Sequence, residues 1–390
     1  MVKLANRFTP WIASEARRLL RAACGSARIA AATTAAVASC AAAQAETAGD
    51  LPLGLSTVWR ISGRTLHDQI SAWAIDAFST DGKLVAIADA TGVRIVRAGD
   101  GVLVRKVWPG FSDETVYAVA VSKSGDVAVG RVGKVELHPA DPQRAGARYD
   151  CSGACGPVGS VAFSPDGKLL AFQGARTLPD RRLGLGSVSV IDVRAGTAVA
   201  QLEASAARAR VGFSVDGRRL VAATVTPFDE VERFGVRAWR IADWRIASNV
   251  AGTRSLGRSH GALPGVELAA AFERDGHLEL RNLVTDAALW SVPLVPPALE
   301  SKTKTGATRL RLVEIAPTGG FVLSYEAPEA SAVAGPPAGT LVIRTAADGA
   351  VQALYDARDV SALAIAPDGK TFLYTTGSGE TYTVLARVPL

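Results

Sequence analysis

The sequence predicts an all-β fold built from seven repeated four-stranded antiparallel units. The main observation is a turn signature, Ser-Pro-Asp-Gly-Lys, that recurs about every 40 to 55 residues with an apolar stretch on each side. A repeat of this period indicates an array of small β units. The clear copies, followed by the two weaker ones, are Phe78–Lys83, Phe163–Lys168, Phe213–Arg218, Ile365–Lys370, Val121–Asp126 and Ile315–Gly320.

The third unit shows how each element is predicted. Val161 and Phe163 alternate along a strand, Pro165 presets φ for a turn, and Asp166 and Gly167 suit the remaining turn positions. Three further alternating stretches follow, the last after a second turn at Arg194–Thr197. They are Leu169–Phe172, Ser187–Ile191 and Ala198–Leu202.

The other units repeat this order of elements. Their predicted third strands are Val93–Val96, Val135–Leu137, Val236–Trp239, His277–Leu280 and Leu341–Ile343. The interval between the turn glycines Gly217 and Gly319 is twice the usual one and predicts a degenerate copy, with a turn at Gly265 and a strand over Val266–Phe272. The count of units is then seven.

A single four-stranded unit of this size cannot bury both faces, whereas units stacked around an axis bury them and expose only short edges. The last copy ends after three strands, near Thr381–Leu385, and an orphan strand, Thr57–Ile61, precedes the first copy. We expect the N-terminal strand to complete the last unit and so close the ring. The alternative is that Val58–Ile61 is only a linker.

The turns and the third-strand pattern resemble those of WD40-like and YVTN-type β-propellers over nearly all of the chain after residue 55. No Gly-His pair opens the repeats and the Trp-Asp dipeptide of strict WD40 repeats is absent, so the chain resembles the looser bacterial form. The resemblance implies a seven-bladed β-propeller over residues 46–390. It also implies enzymatic alternatives, because YVTN-type propellers occur as lactonases and as subunits of quinone-dependent amine dehydrogenases.

Residues 1–45 carry six basic residues and one acidic residue, then an alanine-rich run that ends in the A-x-A signal Ala43–Ala45. This pattern predicts a removed signal peptide and a periplasmic or secreted protein. Val37–Cys40 resembles a lipobox and leaves lipidation of Cys40, with a lipid-anchored envelope protein, as an alternative. Arg17–Leu20 loosely resembles a twin-arginine signal, and a mitochondrial presequence is a further alternative. No other stretch reaches the ~18 apolar residues of a membrane span.

The leader accounts for five of the six units of net positive charge and for most of the basic pI of about 9.3. A nucleic-acid partner would need a basic stripe on the folded domain, so we expect none. Only Cys151 and Cys155 remain after cleavage at Ala45. In an oxidising compartment they are expected to form a disulfide. A redox-active pair and a metal pair are the weaker alternatives, because the C-x-x-C spacing and a nearby His are missing.

No G-x-S-x-G elbow, H-E-x-x-H, P-loop or EF-hand pattern is present in the sequence, and we expect no cofactor and no metal. The four histidines are not spaced as metal ligands. His277 and Glu279 share one strand face and are expected to face solvent, and His67-Asp68 is a candidate for one end of the central channel. The repeated Asp residues of the turns are expected to bond their own backbone.

Two insertions, between second and third strands of adjacent units, are the candidate binding loops. Two further insertions, Ala327–Gly339 and Pro296–Thr305, are expected to be a hairpin tip and a solvated loop. We therefore predict a non-catalytic exported scaffold for a protein or envelope partner, with an enzyme or a channel-based small-molecule sensor as alternatives. The first two insertions are Arg176–Gly186, which contains Arg181 and Arg182, and Thr226–Phe234, which contains Phe228 and Phe234.

Overall fold

The computed structural model of the chain describes residues 56–63, 76–89, 92–107, 116–151, 155–177, 183–206, 208–228, 231–252, 260–263, 266–295, 308–328, 338–378 and 380–387. These residues lie in one compact unit, Asp50–Leu390. They form seven four-stranded antiparallel sheets, which we call blades 1 to 7 in chain order.

The first four blades contain consecutive strands in sequence order. Blade 1 is β2 (Asp76–Phe78), β3 (Leu84–Asp89), β4 (Gly92–Arg97) and β5 (Leu103–Lys106). Blade 2 is β6 (Ala118–Val121), β7 (Val127–Gly130), β8 (Lys134–His138) and β9 (Ala147–Asp150). Blade 3 is β10 (Cys155–Phe163), β11 (Leu169–Thr177), β12 (Leu183–Asp192) and β13 (Thr197–Ala206). Blade 4 is β14 (Arg208–Phe213), β15 (Arg219–Phe228), β16 (Val231–Arg240) and β17 (Ile246–Gly252).

The remaining blades follow the same order, except for the last. Blade 5 is β18 (His260–Leu263), β19 (Val266–Arg274), β20 (His277–Asn282) and β21 (Ala288–Pro293). Blade 6 is β22 (Thr308–Ile315), β23 (Phe321–Pro328), β24 (Ala338–Thr345) and β25 (Val351–Arg358). Blade 7 has the order β26 (Val360–Ile365), β27 (Thr371–Ser378), β28 (Glu380–Arg387) and β1 (Thr57–Gly63).

The N-terminal strand β1 therefore supplies the outer strand of the sheet that holds the C-terminal strands. It pairs antiparallel with β28, and Trp59 lies opposite Leu385. The first strand of each blade is the inner one: β6 contacts both β2 and β10, and β26 contacts both β22 and β2. The apolar core lies between blades, as where Val85 and Ile87 of blade 1 pack with Leu373 of blade 7.

The repeated turns are held by the side chains that the sequence analysis assigned to them. In blade 3, the Ser164 hydroxyl donates to Asp166 at 2.7 Å, and the same carboxylate accepts the Lys168 N–H at 3.0 Å. Gly167 adopts a positive φ of 75°, as the turn requires. The turns around Asp81 and Asp216 repeat these bonds. The prediction that the repeated Asp residues stabilise turns is confirmed.

A second repeated contact ties one blade to the next. A side chain on the outer strand donates to the carbonyl that immediately follows the third strand of the next blade. The four donors occupy equivalent positions on their outer strands. Each lies opposite the third residue from the C-terminal end of the third strand in its own blade. The pairs are Trp59 Nε1 to Ala98 at 2.8 Å, Arg105 Nη1 to Pro139 at 2.7 Å, Trp290 Nε1 to Ala346 at 2.9 Å, and Ser248 Oγ to Leu283.

The second and third strands of blades 3 and 4 are longer than the sequence predicts, because they extend into the two expected insertions. Thr226–Phe234 was predicted as a loop, but β15 and β16 continue through it, with Val225 opposite Phe234 and Phe228 opposite Val231. The extension is a hairpin because Val225, Phe228, Val231 and Phe234 supply strand-forming residues on both arms. In blade 3, β11 and β12 likewise reach Thr177 and Leu183. The predicted turn residue Gly265 and the insertion Pro296–Thr305 lie outside the described residues.

Candidate functional site

Most inner strands carry a small residue at one shared position. The informative position is the residue just before the last residue of each first strand. It is Ala77, Ala120, Ala162, Gly212, Glu314 and Ala364 in the six blades where the turn signature aligns the strands. Since inner strands line the central channel of a propeller, one carboxylate stands there in a row of Ala and Gly.

Glu314 forms an ion pair with an arginine of another blade. Its Oε1 lies 2.9 Å from Nη1 of Arg210. Glu314 is on β22 of blade 6 and Arg210 is on β14 of blade 4, so the pair links two blades that are not consecutive in the chain. Both side chains are mostly buried, at 21% and 15% exposure for the arginine and the glutamate. The guanidinium of Arg210 therefore already occupies one oxygen of the Glu314 carboxylate.

The two arginines of β22, Arg309 and Arg311, are also engaged. Arg309 forms an ion pair with Glu273 of blade 5 at 3.1 Å, and Glu273 also accepts the backbone N–H of Leu310. Arg311 donates to the carbonyl of Pro328 at 2.6 Å. The charged side chains of this inner strand therefore link strands and blades.

The histidines that the structure describes are not grouped with other ligands. Burial lowers the pKa of His138, whose Nε2 lies 3.8 Å from Glu136. His277 is exposed, but the expectation that Glu279 also faces solvent is wrong: it is buried and lies 2.6 Å from Arg281. Within the described ranges, no group of three or more His, Cys, Asp or Glu side chains is placed to hold a metal ion.

The hairpins of blades 3 and 4 define one end of the fold, which we call the hairpin face. The β11–β12 and β15–β16 connections both follow a second strand, and antiparallel order sends such connections to the same end. The Ser-Asp-Gly turns, which join first and second strands, lie at the opposite end. The strands of these two hairpins have nine or ten residues, against six for β3 and β4.

The predicted binding residues belong to this face by their position in the chain. Phe228 ends β15 and Phe234 lies within β16, although their side chains are outside the described part of the structure. Arg181 and Arg182 fall between β11 and β12, also outside the described residues. The same holds for the leader with Cys40, and for His67-Asp68.

Cys151 and Cys155 flank the connection from blade 2 to blade 3. Both are half-buried, and the thiols are unbridged. The hydrogen bond between the thiols, together with burial, raises the pKa of Cys151. The same hydrogen bond lowers the pKa of Cys155. The two thiols are thus in contact with each other.

The Arg210–Glu314 pair was not predicted from the sequence. The two residues belong to different repeats, and no local motif joins them. A signal was nevertheless present. When the repeats are aligned on their turns, Glu314 occupies a position that is Ala or Gly in the other five aligned copies.

No protein-family model matches the chain, and no curated protein matches it. Among solved structures, 1044 chains match. One is a chain in the crystal structure of a mitotic checkpoint complex, with a TM-score of 0.60 and 15% identity over 93% of this chain and 97% of that chain.

The fold is a WD40-like β-propeller. This confirms the predicted all-β architecture of four-stranded antiparallel blades. At 15% identity the likeness concerns the propeller fold alone. Among the residues that the structure describes, no helix has the length and apolar character needed to cross a membrane.

Proposed function

We propose that this protein is an exported, non-catalytic β-propeller scaffold that binds a protein or a cell-envelope component. In this proposal, the seven sheets are the blades of one closed ring, and β1 completes the last blade. Two contacts support closure: β26 of blade 7 touches β2 of blade 1, and Trp59 of β1 bonds to Ala98 of blade 1.

The observation that carries the non-catalytic part of this proposal is the Arg210–Glu314 pair, in a row that otherwise has Ala and Gly in the aligned blades. A propeller enzyme uses channel-facing His, Asp, Glu or Arg side chains that converge from several blades and remain available to a substrate. Here, the Glu314 carboxylate is already paired with Arg210 and is not available to a substrate.

The hairpin face is the proposed binding surface. Its two long hairpins come from adjacent blades, and binding residues concentrate on segments presented by a rigid scaffold. Phe228 and Phe234 lie on one hairpin, and Arg181 and Arg182 belong to the other. Aromatic and Arg side chains are the usual anchors of protein interfaces. The solved neighbour is likewise a component of a protein complex.

A capture experiment with envelope extract tests the binding face. The native protein is compared with a variant that carries Phe228→Ser, Arg181→Glu and Arg182→Glu. The matched control reverses two charges on the same blades at the opposite end, Lys168→Glu and Arg218→Glu. We expect the first variant to lose a partner that the native protein and the control retain. Retention by all three folded proteins would contradict the proposal, as would a lactonase or quinone-linked dehydrogenase activity lost with Glu314→Gln.

Export is proposed from the leader. Because Ala43–Ala45 is the cleavage signal, the exported protein should begin at residue 46. Its intact mass decides this: a mass that begins at a lipidated Cys40 would indicate anchoring, and an uncleaved chain would contradict both alternatives.

A further inference from the structure

The connection between blades 2 and 3 brings two thiols together. Cys151 follows β9, Cys155 begins β10, and the two thiols share a hydrogen bond. Both side chains pack against the apolar cluster that joins these blades, yet each stays partly exposed.

Gly174 of β11 keeps the space that the two sulfur atoms occupy. A Cβ at this position would lie 2.0 Å from Sγ of Cys155 and 2.8 Å from Sγ of Cys151. Its backbone does not have the positive φ that would itself require glycine. Any side chain at this position would therefore displace both sulfur atoms, so Gly174 fixes the point where they converge.

The backbone on both sides of the pair is held by the β7–β8 turn of blade 2. The N–H of Cys151 donates to the carbonyl of Gly133 at 2.9 Å, and the N–H of Gly133 donates to Gly156 at 2.9 Å. The N–H of Val158 donates to the backbone carbonyl of Arg131 at 2.9 Å. These bonds position the two cysteines before any covalent link forms.

We propose that Cys151 and Cys155 form a thiol–disulfide exchange site, with Cys155 as the attacking thiol and Cys151 as the resolving thiol. The oxidant is a disulfide such as glutathione disulfide or an oxidoreductase disulfide. This inference is independent of the proposed binding role, because it concerns a covalent change between blades 2 and 3.

The proposed order of attack begins at Cys155, whose pKa is lowered. Its thiolate attacks one sulfur of the oxidant, forms a mixed disulfide and releases the first oxidant thiolate. Cys151 then loses its proton and attacks Sγ of Cys155, which releases the second oxidant thiolate. The protons of the two cysteines end on the two released thiols, and one Cys151–Cys155 bond forms.

Titration of the reduced full chain with mixtures of reduced and oxidised glutathione tests the site, with peptide mapping to locate each linkage. We expect the native chain to form the Cys151–Cys155 disulfide. Gly174→Ala should require at least about tenfold more oxidant, since it crowds both sulfur atoms. Gly159→Ala on the adjacent strand is the matched control and should behave as the native chain, because its Cβ would meet no atom within 4 Å.

A second pair of variants tests the order of attack without altering a glycine. Cys151→Ser should accumulate a mixed disulfide with glutathione at Cys155 several-fold faster than Cys155→Ser does at Cys151. Equal or reversed rates would overturn the assigned roles. A native chain that stays reduced under oxidising mixtures, or that links these cysteines to Cys24 or Cys40, would overturn the site itself.

Discussion

Trp59 Nε1 donates a hydrogen bond to the carbonyl of Ala98 at 2.8 Å, and this bond joins the N-terminal strand to blade 1. Trp290 makes the equivalent bond to Ala346, from the outer strand of blade 5 to blade 6. Glycine makes both contacts possible. A Cβ at Gly101 would lie 3.0 Å from the Trp59 ring, and one at Gly349 would lie 3.0 Å from the Trp290 ring. The N-terminal strand thus forms the same tie as an internal outer strand.

Trp59→Phe should lower the free energy of unfolding by about 1 kcal/mol, because the Ala98 carbonyl loses its donor while the apolar contact is largely kept. Trp290→Phe is the matched change within the chain and should have a similar cost. Denaturant unfolding measures both. If Trp59→Phe had no effect while Trp290→Phe did, the N-terminal strand would not contribute to the fold as described.

The Ser-Asp-Gly turns should make stability depend on acidity. Burial opposes ionisation of Asp166, but hydrogen bonds from Ser164 and from the N–H of Lys168 outweigh it, so the pKa of Asp166 is lowered from 3.8. A group whose pKa is lowered in the folded state contributes stability that is fully present above its unfolded-state pKa. That stability is lost as the pH falls through the folded-state pKa.

Asp166→Asn should therefore destabilise the protein at neutral pH, with a difference from native that shrinks below about pH 4. Unfolding measured across pH checks this. The matched control is Asp368→Asn, in a turn where Ala366 replaces the serine and one hydrogen bond is absent; its cost should be smaller. A pH-independent difference for Asp166→Asn would contradict the assignment.

Glu314→Gln should cost about 1 to 3 kcal/mol of stability, because it leaves the largely buried Arg210 without its counter-charge. Adding Arg210→Met should recover part of that loss, since removing both charges also removes their desolvation cost. A double-mutant cycle measures the coupling. Strictly additive costs would show that the pair does not act as a unit.

The turn chemistry made most of the fold predictable from the sequence. Ser164, Asp166 and Gly167 act within five residues of one another, so their pattern in the sequence is also their pattern in space. The orphan strand at Thr57–Ile61 was predictable because the last repeat has only three strands. The long hairpins were less clear, since Arg176–Gly186 and Thr226–Phe234 depart from the repeat and were interpreted as loops.

The contacts of the candidate site could not be predicted in the same way. Arg210 and Glu314 meet only because the fold brings β14 of blade 4 close to β22 of blade 6. The tie from Trp59 to Ala98 likewise depends on how neighbouring blades pack. The sequence around Gly174 does not indicate its role, because the atoms next to it are the sulfur atoms of Cys151 and Cys155, about 20 residues earlier in the chain. Such contacts depend on the tertiary arrangement of distant residues.

The central claim is that the hairpin face binds a partner, and hydrogen exchange of the complex with the captured partner tests it most directly. We expect partner-dependent protection in peptides that cover 169–192 and 219–240, the hairpin strands of blades 3 and 4. Peptides of the Ser-Asp-Gly turns, at the opposite end, should exchange at the same rate with and without the partner. Protection confined to those turns or to the outer strands would contradict the claim.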